Sequence, residues 1–493
     1  MKIEIVSPTT AKLTEATSIE RAQLERLLAW RDKAAEQNYL RTKKSRAMRE
    51  KMGEQKHAEE VARIKGQIQR NCFDPNTETF LAGLVEQVKA YFSQCEITSN
   101  VRYPEKGVIA WAKPPPALRP YQQEAVDALT AIRHGGIEAG TGAGKSLMLL
   151  YLVRNHGLRS VVMAPSKNIA KQLFELFQTY LGKMNVGFFG DSKKESKKKV
   201  TIGIAKSFAM IEEGSEHWKD FSNVELFIAD ESHQCPARTL EQSCIGVFGG
   251  ASYRYFVSGT QMRSDGRDLV LEGLVGPIVY TITVEKLVEM GFLAKPLFYH
   301  VEVPSVRIVK DAAWAFRSNF VRNHKVYPIA ASIIKKAVDK NKQVLVLIDE
   351  IVQGTELLKH INMDKTQVGF AHSAASSHEK LPEDYKKSDV EKEVSLFNQK
   401  QKKVLIGTSC IATGTDIQTA DVVVYMMGGV SEVQLRQAIG RGTRKPEGKE
   451  NFVFLDFRVK DCAHLDRHFL ARNRVYNEMS GTDSKLIRSE TKK

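Results

Sequence analysis

A glycine-rich stretch, EAGTGAGKS at residues 138–146, constrains the fold of this 493-residue chain more than any other segment. Its three glycines let backbone N–H groups wrap a phosphate, and a helix starting at Lys145 would turn its positive N-terminus toward the same anion. Lys145 would reach the β- and γ-phosphates, and the Ser146 hydroxyl would bind Mg²⁺. The loop therefore predicts an α/β sheet with a nucleotide site. The residues expected to bind the nucleotide are Gly140, Thr141, Gly142, Ala143, Gly144, Lys145 and Ser146.

A second stretch, ELFIADESH at 225–233, is the expected partner of this loop. Its apolar run predicts a buried strand that ends at two adjacent carboxylates. Asp230 would hold Mg²⁺ through water, and Glu231 would polarise the attacking water as a general base. Because no second His or Cys lies nearby at ligand spacing, His233 is interpreted as a residue that couples the nucleotide site to neighbouring loops and not as a zinc ligand.

Charge and cysteine usage narrow the choice of partner and compartment. The net charge is +15 and the isoelectric point about 9.3, which favours a polyanionic partner such as nucleic acid, with simple solubility as the alternative. Six cysteines are scattered without a CxxC pair, as in proteins of a reducing cytoplasm. No apolar run approaches the ~18–20 residues of a membrane span, and the N-terminus lacks the apolar core of a secretory signal. A cytoplasmic protein is expected.

The order of apolar and charged segments predicts three regions. Residues 18–70 are highly charged with a helical period, which predicts one or two long helices that are either a solvated face or a DNA-contacting arm. The proline-rich KPPPALRP at 113–120 reads as a linker. Two successive series of apolar strands then predict two α/β units. The predicted regions are a basic, helical N-terminal accessory domain at 1–112, a first core domain at 113–295 and a second core domain with a helical tail at 296–493.

The order of the remaining motifs resembles that of a superfamily 2 helicase over about 117–476, roughly three quarters of the chain. That resemblance implies two tandem RecA-like domains, parallel sheets flanked by helices, with a small and partly helical N-terminal domain. It also implies ATP and Mg²⁺ as cofactors and nucleic acid lying across both domains. The segments that carry it, besides the two above, are LRPYQQEAV (118–126), APSKNIAKQ (164–172), IAKSF (204–208), SGT (258–260), VLVLID (344–349), FAHS (370–373), GTSCIATGTDI (407–417) and QAIGRGTR (437–444).

The resemblance assigns roles residue by residue. Gln122 would pair with the adenine edge, while Gly414 and Asp416 would face the nucleotide. Gln437 would contact the γ-phosphate or the water, and Arg441 and Arg444 would be arginine fingers supplied from the second domain. The residues implied to couple hydrolysis to motion are His233, Ser258 and Thr260. Those implied to contact nucleic acid are Ser166, Lys167, Lys206, Ser207, His372 and Thr408, although the hydroxyl side chains among them can also cap turns and the lysines can be solvated.

The segment 258–296, which begins with SGT, resembles the phage UvsW-like branch-migration DNA helicases and the related DNA-repair and restriction-translocase proteins. FLAGLVEQV at 80–88 also resembles the small N-terminal domain of the phage proteins. The absence of a nuclease signature, and the short stretch after Tyr476, argue against a restriction subunit. We therefore expect a monomeric helicase that acts on forked or branched DNA. An RNA or RNA–DNA hybrid helicase, and a P-loop ATPase that remodels a protein, are the alternatives. Trp111 and Phe189 are candidates for base stacking, although a lone aromatic more often packs in a core.

Overall fold

A computed structural model describes residues 1–191, 193–235, 237–259, 268–307, 309, 311–372, 381–386, 388–408, 411 and 417–487. The chain divides into two compact units, the first comprising 1–139 and 144–281 and the second 140–143 and 282–493. The second unit thus begins its long segment at Ile282, whereas the sequence places a boundary after residue 295. Within the described residues no helix is long and apolar enough to cross a membrane.

The N-terminal part of the first unit is a small sheet with helices on it. Its strand order is β5-β6-β2-β1-β7, and a separate pair joins β3 to β4. Ile3, Leu13, Leu24, Phe80 and Val88 belong to its buried core. The strands are β1 (Lys2–Ser7), β2 (Thr10–Glu15), β3 (Ala29–Arg31), β4 (Gln69–Asn71), β5 (Phe73–Asp74), β6 (Thr79–Leu81) and β7 (Glu96–Ser99).

Four short helices occupy the charged segment for which one or two long helices were predicted. They are Ser18–Leu27, Lys33–Lys44, Arg46–Met52 and Glu54–Lys65, and Val85–Tyr91 follows after β6. The breaks have local causes. Ser45 ends one helix and accepts the backbone N–H of Met48 to begin the next, while Gly53 takes φ +82°, where helices end. Helical periodicity was right, but the predicted helix number was wrong because the caps interrupt it.

The rest of the first unit is an eight-stranded sheet of order β11-β10-β12-β9-β13-β14-β8-β15. Neighbouring strands from β10 through β8 in this order pair in parallel. The strands are β8 (His134–Ala139), β9 (Ser160–Ala164), β10 (Val186–Gly190), β11 (Lys193–Lys194), β12 (Val200–Ile204), β13 (Leu226–Asp230), β14 (Tyr253–Ser258) and β15 (Ile278–Ile282). The helices are Pro120–Thr130, Lys145–His156, Lys167–Leu181, Ala205–Ala209, Glu216–Phe221, Ala237–Ile245 and Asp268–Val275.

The second unit contains a seven-stranded, wholly parallel sheet of order β18-β19-β17-β20-β21-β16-β22. Its strands are β16 (Lys295–Glu302), β17 (Val344–Ile348), β18 (Val368–Ala371), β19 (Val404–Gly407), β20 (Val422–Met426), β21 (Asn451–Arg458) and β22 (Lys485–Leu486). The helices are Val284–Glu289, Ala312–Phe316, Val326–Asp339, Ile351–Ile361, Val390–Asn398, Glu432–Gly440 and Ala463–Ser480. The predicted fold of parallel sheets flanked by helices is confirmed.

Arg254, on β14, is a fully buried cation in the first sheet. Its guanidinium donates to the carbonyl oxygens of Leu274 at 3.0 Å, Phe248 at 2.7 Å and Cys244 at 2.8 Å. These carbonyls belong to the helix Asp268–Val275 and to the region where the helix Ala237–Ile245 ends. One side chain therefore ties two helices to the strand that leads into SGT.

Arg254→Met should lower the free energy of unfolding by an amount on the order of 3 kcal/mol or more, because each buried carbonyl left without a donor costs about 1–3 kcal/mol. Guanidinium unfolding of the full chain measures the effect. Arg46→Met is the matched control, since the Arg46 side chain is 90% exposed in a surface ion pair. Equal unfolding midpoints for the two variants would contradict this role of Arg254.

Candidate functional site

The glycine-rich loop lies where its sequence predicts, between a strand and a helix. β8 ends at Ala139 and the following helix begins at Lys145. Gly142 and Gly144 take φ values of +93° and +80°, which side chains with a Cβ rarely adopt. The backbone therefore turns through the loop in the way that a phosphate-binding loop requires, and the helix N-terminus follows directly.

The acidic pair stands at the carboxyl end of β13, whose five residues are all buried. Glu231 has the left-handed backbone angles φ 46° and ψ 44°, which are costly for a residue with a side chain. Its backbone N–H donates to the carbonyl of Val257 at 2.8 Å, which helps to hold it there. Strain of this kind, maintained by the surrounding strands, is typical of functional positions.

Lys145 and Glu231 meet in an ion pair. The Lys145 Nζ lies 3.0 Å from Oε1 of Glu231, and the two side chains are only 13% and 16% exposed. The same ammonium donates to the carbonyl of Ala139 at 3.2 Å. The other carboxylate oxygen of Glu231 accepts the backbone N–H of Gly259 at 3.3 Å. The loop lysine, the candidate base and the SGT segment therefore form one connected cluster within the first unit.

Asp230 offers a buried carboxylate oxygen to this cluster. The residue is 4% exposed, and its Oδ1 has no hydrogen-bond partner among the described residues. Burial, followed by the charge of Glu231, raises the pKa of Asp230, while Lys145 acts in the opposite direction. An orphaned buried oxygen is costly unless something binds it, and a hydrated cation would do so. The arrangement fits Mg²⁺, with Ser146 exposed on the first turn of the helix as the second candidate ligand.

Gln122 lies beside the same loop. Its Oε1 accepts the backbone N–H of Arg119 at 2.9 Å, which caps the helix Pro120–Thr130. A Cβ at Gly144 would come within 2.4 Å of the Gln122 Nε2, and the φ of +80° at this position also favours glycine. The position next to the phosphate loop agrees with an adenine-reading role, which stays a prediction.

The arginine-bearing stretch QAIGRGTR begins on the helix Glu432–Gly440, with Gln437 half-buried and Arg441 at the helix C-cap. Gly442 has a packing reason that the sequence does not reveal. A Cβ there would lie 2.1 Å from the ring of Phe452, at the start of β21. The glycine thus lets the turn close over an aromatic side chain. Arg444 follows this turn and is half-buried.

Lys449 supports this turn, although no sequence motif predicts this role. Its Nζ donates to the carbonyl oxygens of Gly442 and Ala420, both at 2.6 Å, and the residue is 8% exposed. Burial lowers the pKa of Lys449 to about 8. A lysine next to glutamates in PEGKE reads as a surface loop, so nothing local in the sequence marks its burial.

The candidate nucleic-acid contacts of the first unit differ in their surroundings. The hydroxyl of Ser166 accepts the backbone N–H of Ile169 at 3.4 Å and so caps a helix. Lys167 forms an ion pair with Asp191. Lys206 is exposed and Ser207 half-buried on the short helix Ala205–Ala209. Ser166 thus has the capping role that is the alternative for the hydroxyl residues. Contact with a nucleic-acid strand remains a prediction for all four residues.

His372 and Thr408 in the second unit are buried. His372 is 2% exposed and its Nε2 donates to the carbonyl of Tyr385 at 2.8 Å. Thr408 is 9% exposed, and its backbone N–H donates to the carbonyl of Ala371. The histidine is therefore engaged within its own unit, which favours a structural role over a strand contact.

Several other predicted residues are less informative. Ser258 is fully buried at the end of β14. Thr260, Gly414 and Asp416, and the side chain of His233, lie outside the described residues. Phe189, a candidate for base stacking, is 1% exposed and stacks on Phe208, so that interpretation is wrong. Trp111 makes an edge contact with Tyr151.

Comparisons with known proteins agree with these motifs. Residues 116–256 match the family model described as type III restriction enzyme, res subunit, and residues 329–446 match the helicase conserved C-terminal domain. The chain is 26% identical over 391 residues to a helicase-named protein of Sulfolobus islandicus filamentous virus, covering 74% of this chain and 68% of that protein. It is 24% identical to the DNA 3'-5' translocase XPB2 of Sulfurisphaera tokodaii, covering 74% and 88%.

Among solved structures, S. cerevisiae Dbp5 bound to RNA and ADP BeF3 aligns with a TM-score of 0.54 and 14% identity, covering 75% of this chain and 90% of that one. At this identity the likeness establishes the fold alone. The phosphate loop and the acidic pair lie in the segment matched by the first family model, and the arginine-bearing stretch lies in the segment matched by the second. The chain is an ATP-dependent helicase of superfamily 2.

Proposed function

We propose that this helicase is a DNA helicase or translocase that remodels branched DNA, such as forks or four-way junctions, in recombination, repair or replication restart. ATP hydrolysis on the Lys145–Glu231 cluster drives it. The main support is that the two segments that resemble branch-migration helicases, 80–88 and 258–296, pack against each other. A Cβ at Gly83 would lie 2.2 Å from the carbonyl oxygen of Glu272, and one at Gly273 would lie 2.7 Å from the side chain of Leu81.

This close packing joins the N-terminal sheet to the core of the first unit. A second support is the connector that follows β7, because its backbone N–H groups at Gly107 and Ile109 donate to the carbonyl oxygens of His156 and Arg154. An accessory domain held in this way moves with the core to which it is bonded. Any DNA that it holds would therefore keep a set position relative to the ATP site.

The N-terminal helices supply the positive charge for such a contact. Residues 41–51 contain six basic side chains against one acidic, Glu50, and most of this segment is exposed. Neutralising phosphates with such side chains releases counterions, so binding should weaken with salt. The relative named as a DNA 3'-5' translocase agrees with DNA as the partner.

Each residue of the predicted site would have a distinct role in ATP hydrolysis. When ATP binds, the Lys145 ammonium would leave Glu231 and contact the β- and γ-phosphates. The Glu231 carboxylate would then be free to polarise the attacking water. Ser146 and Asp230 would hold Mg²⁺, which neutralises charge on the phosphate oxygens. Arg441 and Arg444 would stabilise the charge of the transition state, with Gln437 at the γ-phosphate or the water.

Glu231→Gln should keep ATP binding while lowering hydrolysis by about 10²–10⁴-fold, the usual contribution of a general base. Lys145→Ala should abolish turnover because it removes the phosphate contact. ATP binding and phosphate release, measured separately, distinguish the two variants. Glu213→Gln, an exposed glutamate of the same unit, is the control. Normal turnover in Glu231→Gln would disprove its role as the base.

Arg444→Ala should leave ATP binding largely intact and lower hydrolysis by about 10³–10⁵-fold, the range found for arginine fingers. Arg467→Ala removes an exposed arginine from the same unit and should change neither quantity. Phosphate release at saturating ATP and nucleic acid is the measurement. Equal rates for the two variants would remove Arg444 from the active site.

The choice of polymer is tested by ATPase stimulation and by unwinding of forks, four-way junctions and RNA duplexes. Forked DNA should stimulate ATP hydrolysis more than single-stranded RNA, and junctions should be unwound. Equal stimulation by RNA would replace the proposal with an RNA or hybrid helicase. Stimulation by neither polymer would favour an ATPase that remodels a protein.

A further inference from the structure

Trp314 is the most exposed of the four tryptophans. Trp314 is 55% exposed, whereas Trp30, Trp111 and Trp218 are partly buried. A large indole in water forgoes the stabilisation that its burial would give. The exposed indole therefore offers a flat apolar face to a binding partner.

The segment that presents Trp314 is tightly built. The helix Ala312–Phe316 starts with the Asp311 carboxylate accepting the backbone N–H of Trp314 at 3.0 Å. A π-helical turn, Arg317–Val321, continues it, and such turns recur at functional sites. The buried Asn319 accepts the N–H groups of Val306 and Arg307 at 2.9 and 2.8 Å. The tryptophan thus stands on a fixed support.

This support lies at the carboxyl edge of the second sheet. The segment comes after β16, which ends at Glu302. The Phe316 ring fills the space beside Gly428, just after β20, where a Cβ would lie 2.2 Å from it. Arg317 Nε donates to Oε1 of Glu350, just after β17, at 2.8 Å. Because all these strands are parallel, they end at one edge, and ligands of open α/β sheets bind at that edge.

The sequence on either side of Trp314 is positively charged. From 305 to 325 the chain has five lysines and arginines against a single acid, Asp311, which is used as the helix cap. Among the described residues of this stretch the exposed cations are Arg307, Arg317, Arg322 and Lys325, of which Arg317 is paired with Glu350. An aromatic side chain among cations suits a nucleic-acid strand, whose bases stack on the ring while its phosphates meet the charges.

We propose that Trp314 stacks on a base of the nucleic-acid strand that crosses the carboxyl edge of the second sheet. This inference rests on the proposed function, since it requires a bound strand. It adds a contact outside the segments that resemble helicase motifs. Base stacking is tolerant of sequence, so Trp314 contributes affinity for any single strand and not a base preference.

The experiment measures binding of fluorescent oligo(dT) to the full chain by anisotropy. Trp314→Ala should weaken binding by about 5- to 150-fold, the range for one base–aromatic stack, while Trp314→Phe retains most of the affinity. Leu470→Ala, which removes an exposed apolar side chain of the same unit, should bind as the wild type does. ATP hydrolysis without nucleic acid and thermal unfolding should be unchanged in Trp314→Ala.

Abasic sites, placed one at a time along the oligonucleotide, make the test specific to stacking. At one position the abasic site should weaken wild-type binding as much as Trp314→Ala does, and adding the variant should cost nothing more. Wild-type affinity in Trp314→Ala, or additive losses at every position, would overturn the proposal while leaving the proposed function intact. A wild-type protein that binds no nucleic acid would overturn both.

Discussion

The ion pair between Lys145 and Glu231 is the interaction around which the first unit is organised. It connects the start of the helix after β8 to the end of β13, two elements that are far apart in sequence. The pair is largely buried, so solvent screens it poorly and leaving either charge unpaired would be costly. In the function proposed above, phosphate would replace the carboxylate at the lysine.

The backbone around this pair is equally specific. Glu231 keeps a left-handed conformation because β14 accepts its N–H at Val257, and Gly259 donates to its second oxygen. A shift of the SGT backbone would therefore alter the hydrogen bond between Gly259 and the Glu231 carboxylate. β14 itself is bonded to two helices through the buried guanidinium of Arg254. Hydrogen bonds therefore connect the candidate base, through β14, to the core of the first unit.

In the second unit, as in the first, buried side chains hold the backbone of segments that carry predicted functional residues. In the second unit the turn that bears Arg441 and Arg444 is held by the buried ammonium of Lys449 and by the ring of Phe452. At the same sheet's carboxyl edge, Phe316 and Asn319 support the segment that exposes Trp314. In both cases apolar contacts and buried polar groups hold the backbone of a segment that carries predicted functional residues.

The sequence alone determined the parallel α/β fold, because buried strands such as VVVYM are continuous apolar runs and EAGTGAGKS requires a strand before it and a helix after it. It also located Lys145, Asp230 and Glu231, since their residue types follow from the chemistry of phosphate and metal. Helical periodicity by itself failed in the charged N-terminal segment. Helical periodicity could not count the N-terminal helices, whose ends depend on caps at Ser45 and Gly53.

Only the tertiary structure decided that Phe189 is core while Trp314 is exposed, that Gly442 makes room for Phe452, and that Lys449 is buried under the arginine-bearing turn. Burial and close packing are properties of chain segments brought together from afar, and they leave no periodic signal in the sequence near any one of them.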